Sequence, residues 1–315
     1  MDVAALAEGV RRGEILTLGK ALSFVEKGGR DAAALLEALE VGEEGPPRIG
    51  IAGPPGAGKS TLASGLVRAF RARGERVALL AVDPSSPFSG GALLGDRIRL
   101  SGQFEDEGVF IRSVATRGAA GGLSPAVADM AEVCAAAGFD RILIETVGIG
   151  QAELEVMRVA DLVLLVLQPG AGDGVQAMKA GILEIADLIA CNKADLPGIE
   201  ALESQMREML DLRAREVGRR PLLLRTTARS AEGIEDLAAA IEARWREIGE
   251  EERKRRREER WVFLVRSRVL DLVREALDAE DLQAEPGTVP ALRARSFLRS
   301  LAARWDGSLE SGEGS

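Results

Sequence analysis

The sequence predicts an α/β fold, a doubly wound and mainly parallel sheet with helical extensions at both ends. Three observations predict it. Seven short apolar runs recur between residues 48 and 248, with helical stretches between most of them. The runs are apolar throughout, as strands covered by helices on both faces must be. Residues able to do chemistry fall at or just past the ends of the runs, where an open α/β sheet binds its ligands.

Residues 1–47 read as an N-terminal helical extension. MDVAALAEGVRRGE reads as a short amphipathic helix, and Leu6, Val10, Leu16, Leu18, Leu22 and Val25 sit at mostly helical spacings. A second helix is expected from Asp31, read as its cap. Glu43-Glu44-Gly45-Pro46-Pro47 then breaks the pattern before the first strand.

Residues 48–248 carry the sheet. The expected strands are Ile49–Gly53, Val77–Asp83, Val109–Ser113, Ile142–Thr146, Leu162–Leu167, Leu188–Asn192 and Leu222–Thr226.

Residues 249–306 read as a C-terminal helical arm. Glu250 to Arg260, EEERKRRREER, is a dense mixed-charge run, read as a solvated helix face with i,i+4 pairs in preference to a nucleic-acid surface. Trp261, Leu264, Val265, Val269, Leu272 and Val273 form an apolar stripe that needs a surface to bury against. The sheet domain in cis is one such surface and a second copy, in a homodimer, is the other. Residues 307–315 are polar and rich in Gly and Ser, the composition of a disordered tail.

Composition narrows the function classes. The chain has 315 residues, 46% of them hydrophobic, enough for one α/β domain with appendages. Its net charge of −9 argues against general nucleic-acid binding. No apolar run approaches the roughly 20 residues of a membrane span, and no secretory leader is evident, so a cytoplasmic protein is expected. The chain contains no histidine, which excludes a His-based metal site, general base or catalytic triad. Cys134 and Cys191 lie far apart in apolar surroundings and read as small buried hydrophobes.

The most informative motif is GPPGAGKST: Gly53, Pro54, Pro55, Gly56, Ala57, Gly58, Lys59, Ser60 and Thr61. It matches the phosphate-binding pattern G-x-x-x-x-G-K-[ST], and it lies between an apolar strand and a helix, the context the pattern requires. The glycines let the backbone wrap a polyphosphate, with its N–H groups turned inward at a helix N-terminus. Lys59 can reach the β- and γ-phosphates, and the Ser60 hydroxyl can ligate Mg²⁺.

Asn192-Lys193-Ala194-Asp195 names the base. It contains N-K-x-D after the apolar run Leu188-Ile189-Ala190. The Asp195 carboxylate can accept from both the ring N–H and the exocyclic amine of guanine. Adenine offers neither donor in that geometry, and sites of this kind discriminate by about 10⁴–10⁵. Asn192 can brace the loop and Lys193 can lie along the base. GTP, with GDP as product, is the expected nucleotide.

Four loops carry the remaining chemistry. Asp83, ending the second strand, is either a Mg²⁺ partner or a plain Asp-Pro turn. Asp96 is either a surface carboxylate or a metal or water partner brought in by loop closure. Glu145 ends the fourth strand, and Gly148 follows three residues later. In P-loop NTPases a carboxylate there holds Mg²⁺, and such a glycine senses the γ-phosphate through its N–H. A Glu reaches one methylene further than an Asp, which suits a water-bridged contact. Gln168 to Gln176, with Lys179, is glycine-rich and reads as a connection or as a third switch. Thr226-Thr227-Ala228 ends the last strand and can close over guanine through backbone N–H. Gln151 and Arg117 are candidates for positioning water or stabilising charge.

GPPGAGKST, AVDPSSPFSGGALLGDRIRL, IETVGIGQAE, LQPGAGDGVQAMKAGILEIAD and CNKAD together resemble the MeaB/ArgK family over roughly residues 10–240. These are GTPases of the signal-recognition-particle and MinD-like class that act as chaperones of cobalamin-dependent acyl-CoA mutases, chiefly methylmalonyl-CoA mutase. The resemblance implies phosphate and Mg²⁺ binding by Lys59 and Ser60, and a metal and hydrolysis site at Asp83, Asp96 and Glu145. It implies guanine recognition by Asn192, Lys193 and Asp195, a third switch at about 170–179, and a homodimerisation arm at the C-terminus. Two other readings stand beside it. A metallochaperone GTPase calls for His- and Cys-rich ligands that this chain lacks. A transport-associated ATPase or kinase calls for ATP, against the N-K-A-D string.

Overall fold

The computed structural model describes residues 2–39, 45–84, 106–116, 123–146, 154, 157–170, 182–217, 220–278 and 290–310. Two compact units are distinguished, residues 1–267 and 268–315. The first opens with α1 (Val3–Arg11), α2 (Ile15–Lys27) and α3 (Arg30–Leu39), followed by β1 (Arg48–Ala52), α4 (Lys59–Ala72), β2 (Val77–Pro84) and β3 (Val109–Thr116). It continues with α5 (Leu123–Ala136), β4 (Arg141–Thr146), β5 (Leu162–Leu167), α6 (Ile182–Ile185), β6 (Leu188–Cys191), α7 (Ile199–Val217), β7 (Leu222–Arg225) and α8 (Ile234–Glu247). The long helix α9 (Glu250–Asp278) begins in the first unit and ends in the second, which also holds α10 (Pro290–Glu310).

All seven expected strands form, and they make one sheet of order β3-β2-β4-β1-β5-β6-β7 with every pairing parallel. β1 pairs with β4 on one side and β5 on the other. The chain order reverses there, so the carboxyl end of β1 is the switch point at which an open α/β sheet binds its ligand.

Alternation along the strands feeds two cores. Ile49, Ile51, Leu79, Leu143 and Leu164 pack with Leu62, Leu66 and Phe70 of α4 and Leu237 of α8. Ala78, Leu80, Ile142, Ile144 and Leu165 join a core with Leu6, Leu18, Leu22 and Leu35 of the N-terminal helices and Met130 of α5. The N-terminal extension is therefore a covering layer of the sheet. The edge strand β7 is less covered, and Leu222 is exposed.

Local signals refine the N-terminal reading. Asp2 caps α1, its carboxylate accepting from Ala4 N (3.0 Å) and Ala5 N (3.2 Å). Gly13, at φ 72°, turns the chain between α1 and α2. Leu16, placed in the sequence at a mostly helical spacing with Leu6, Val10 and Leu18, is 82% exposed, because two residues before Leu18 in α2 it falls on the face opposite buried Leu18, Leu22 and Val25. α3 starts at Arg30, so Asp31 lies in its first turn and is not its cap.

The charge run of α9 also differs from the sequence reading. Part of it is the expected surface lattice: Arg255 pairs with Glu252 and Glu259, and Arg256 with Glu252. Arg256 and Arg260 instead turn inward. Arg256 reaches both oxygens of Asp187 (3.3 and 3.2 Å) and the Asp161 carbonyl (2.6 Å), and Arg260 pairs with the Asp161 carboxylate. The two aspartates are buried where β5 and β6 begin, and each also accepts a backbone N–H of the neighbouring strand. Asp161 takes Arg48 N and Asp187 takes Val163 N, both at 2.9 Å. One arginine face one helical turn apart thus fastens α9 to the amino ends of two central strands. The expected stripe divides for the same reason. Leu264 packs against the sheet core, while Trp261 and Val265 are exposed.

No described helix is long and apolar enough to cross a membrane. Removing one partner of a buried charge pair costs about 3–5 kcal/mol. Asp187→Ala is expected to lose stability in that range, read as a lower urea midpoint; a loss below about 1 kcal/mol would contradict the anchoring role.

Candidate functional site

The phosphate-binding half is built at the switch point. β1 ends at Ala52, the loop occupies 53–58, and α4 starts at Lys59. Gly53 has no room for a side chain, because a Cβ there would collide with the Val166 carbonyl of β5. Gly58, at φ 90°, lies against Asn192, whose Nδ2 would sit 2.5 Å from a Cβ. Pro55, Gly56 and Thr61 are exposed, while Pro54 and Ala57 are buried and shape the loop from beneath.

Lys59 is 5% exposed, and its Nζ donates to the carbonyls of Gly53 (2.8 Å) and Pro54 (3.0 Å). The ammonium is thereby held over the loop that α4 caps. A helix N-terminus with a buried cation is arranged for a polyphosphate. The Ser60 hydroxyl donates to Glu145 Oε1 at 2.6 Å. The hydroxyl comes from the first turn of α4 and the carboxylate from the end of β4, which pairs with β1 through Glu145 and Ile51. A hydroxyl and a carboxylate oxygen side by side are hard donors that suit Mg²⁺. Among the described residues no cluster of three or more Asp, Glu, Cys or His forms a metal site.

The base half is organised by Asn192, which is 1% exposed. Its Nδ2 donates to the Ala57 carbonyl of the phosphate loop (2.8 Å). Its Oδ1 accepts from Thr226 Oγ1 (3.1 Å) and Ala228 N (3.0 Å). Ala194 N donates to the Thr226 carbonyl (3.1 Å). Lys193 takes a left-handed backbone, φ 57°, unusual for a residue with a side chain, and its Cε lies 4.0 Å from a Cβ built on Gly58. The lysine stem thus returns over the phosphate loop. Asp195 is exposed.

Thr227 and Ala228 are buried beside this loop, but their N–H groups are spent on Glu232 O (3.0 Å) and Asn192. As placed, they brace the loop from behind. Two residues do something the sequence reading did not give them. The Thr226 hydroxyl completes the Asn192 node, and Gln168, read as the start of a glycine-rich connection or switch, brings its Nε2 within 3.8 Å of a Cβ on Gly56. Both sit just past a strand's end, the one available signal. Burial pushes the Cys191 thiol up to about 12, with the nearby Glu203 charge adding to it, and burial pushes Cys134 equally high. Neither is a thiolate at neutral pH, so neither is a nucleophile. The Asp83 backbone lies in β2, one residue before its end at Pro84, but its side chain lies outside the described residues. So do Asp96, Arg117, Gly148, Gln151 and the segment 171–179.

Residues 18–280 match the family model described as methylmalonyl Co-A mutase-associated GTPase MeaB. The chain belongs to that family. It is 44% identical over 235 residues to a putative GTPase of Pyrococcus abyssi, covering 74% of this chain and 72% of that one. It is 36% identical over 317 residues to a probable GTPase of Mycobacterium bovis, with 94% of each covered. The crystal structure of an LAO/AO transport system kinase superposes with a TM-score of 0.69 at 27% identity, over 96% of this chain and 97% of that one. The chain is thus a P-loop GTPase of the MeaB family.

A Gly53→Ala substitution tests the loop's fit against β5. A misplacement of about 1 Å costs about 10²-fold in rate. The variant is therefore expected to lose about 10²-fold in kcat/KM for GTP hydrolysis while keeping its circular dichroism. Unchanged kinetics would show that β5 does not constrain the loop.

Proposed function

We propose that this GTPase is a chaperone of a cobalamin-dependent acyl-CoA mutase of the methylmalonyl-CoA mutase type, gating cobalamin loading and protecting or reactivating the enzyme. The observation that carries the reading is the family match, which spans the phosphate loop, the N-K-x-D loop and the segments between them. The geometry supports its nucleotide half, because Asn192 makes the two loops one site.

In this reading GTP lies with its phosphates on 53–61 and its base against Asp195. Lys59 neutralises charge on the β- and γ-phosphates, and it must exchange a loop carbonyl for a phosphate oxygen to do so. Ser60 and Glu145 would hold Mg²⁺, with Asp83 and Asp96 completing its shell directly or through water. The ion, when bound, offsets the negative charge that builds on the phosphates during hydrolysis. Gly148 would sense the γ-phosphate. The loops at 83–96, 145–151 and 168–179 would then change state with the nucleotide and alter the grip on the mutase. The protein would act in the cytoplasm, and the 249–306 arm would pair two copies. The exposed Trp261 and Val265 fit that pairing.

A transport-associated kinase is the second reading, favoured by the likeness to the LAO/AO transport system kinase. It requires ATP, which the N-K-A-D loop disfavours.

Phosphate release from GTP, with and without the cobalamin-dependent acyl-CoA mutase of the same source, separates these. A partner that completes a GTPase site is worth about 10³–10⁵ in rate in other systems. The reading expects stimulation of at least about tenfold that disappears in Lys59→Ala. Equal rates with and without the mutase would contradict the chaperone role, and preferential use of ATP would favour the kinase.

A further inference from the structure

Behind the base-reading loop lies an ion pair that belongs to none of the nucleotide motifs. β6 ends at Cys191, the loop runs over 192–198, and α7 carries Glu203 one turn past its start. β7 ends at Arg225, immediately before Thr226. The Arg225 guanidinium donates twice to the Glu203 carboxylate, Nε to Oε1 at 2.6 Å and Nη2 to Oε2 at 2.8 Å. Such a two-pronged contact fixes direction as well as distance, which a lysine does not reproduce. The Glu203 side chain is 12% exposed, and the pair's bonds hold its carboxyl below the usual range, so it stays ionised at neutral pH.

The pair closes a ring. From Arg225 the chain passes to Thr226, whose N–H donates to the Cys191 carbonyl (3.0 Å) and whose carbonyl accepts from Ala194 N (3.1 Å). The Thr226 hydroxyl donates to Asn192 Oδ1. From Asn192 the loop runs through Asp195 to α7 and returns through Glu203 to Arg225. On the opposite side a Cβ on Gly233, at φ 73°, would collide with the Arg225 carbonyl, so the backbone at Arg225 is confined there too. Asp195 is carried on an exposed arc of this ring, and the Arg225 side chain is half exposed on another.

We infer that Arg225 and Glu203 are positioning residues for base selection: their forked ion pair sets the separation between α7 and the Thr226 strap, and with it the strictness with which the 192–195 loop admits guanine. Neither acts as a catalytic residue; both act through Thr226, Asn192 and the loop that bears Asp195. The inference rests on Asp195 being the acceptor for guanine.

The test compares steady-state hydrolysis of GTP and of ITP, which lacks the exocyclic amine, in Glu203→Gln, Arg225→Met, the double variant and Asp195→Asn. Loss of positioning removes binding that ground state and transition state share, which raises KM and spares kcat. Each single variant is expected to raise KM for GTP about tenfold, to leave kcat within about twofold, and to shrink the GTP-over-ITP preference about tenfold. The double variant should be no worse than either single one, since contacting residues are not additive. Glu203→Gln keeps the shape and folds even where Arg225→Met does not. A preference unmoved in Asp195→Asn overturns the base-loop reading and the inference with it. A preference relaxed in Asp195→Asn but unmoved in Glu203→Gln and Arg225→Met overturns the inference alone. So does a fall in melting temperature with KM and kcat unchanged, the signature of a merely structural pair.

Discussion

The side-chain amide of Asn192 is buried between the two halves of the candidate nucleotide site, with one end on the Ala57 carbonyl and the other on Thr226 and Ala228. A buried amide left without partners costs about 1–3 kcal/mol, so each of these groups fixes the others. The consequence is geometric. The phosphate loop follows β1 and the base loop follows β6, yet Asn192 joins them across the carboxyl edge of the sheet. Gly58 is the complementary constraint, because any side chain there would occupy the space of the Asn192 amide. The packing of Lys193 over Gly58 and of Thr226 behind Ala194 depends on that joint.

The opposite edge of the sheet has its own joint. Asp161 and Asp187 begin β5 and β6, bridge to the backbone of the neighbouring strands, and receive Arg260 and Arg256 of α9. These aspartates are also where the chain returns to the sheet after the segments following Glu145 and Leu167. The two segments expected to respond to nucleotide therefore lead directly into the residues that hold α9. Arg158, stacked 5.3 Å from the Phe263 ring, adds a contact between α9 and the chain just before β5.

Much of this was legible in the sequence, and the reason lies in the kind of signal. Interior parallel strands are apolar on both faces, so β1, β4, β5 and β6 stand out as short hydrophobic runs. The phosphate loop and N-K-x-D are local strings whose chemistry is set within a few residues. Arg225–Glu203 and Arg256–Asp187 are different, because the partners lie 22 and 69 residues apart. EEERKRRREER has the same composition whether its arginines face water or a buried aspartate, so its inward face emerges only from the register of α9 on the sheet. Leu16 shows the limit of spacing alone. It lies two residues from Leu18 in α2, on the face opposite buried Leu18, Leu22 and Val25. Thr226 and Gln168 carry ordinary side chains, and only their place past a strand's end pointed toward the site.

Asn192 joins the two loops into one candidate site, and calorimetric titration of GDP and ADP against the Asn192→Ala protein tests that most directly. Orphaning the Ala57 carbonyl and the Thr226 and Ala228 donors predicts a loss of about 10- to 100-fold in GDP affinity, with a reduced preference over ADP, in a protein that keeps its circular dichroism. GDP affinity and base preference within about twofold of the parent would contradict it, and would mean that the two loops bind their halves of the nucleotide independently.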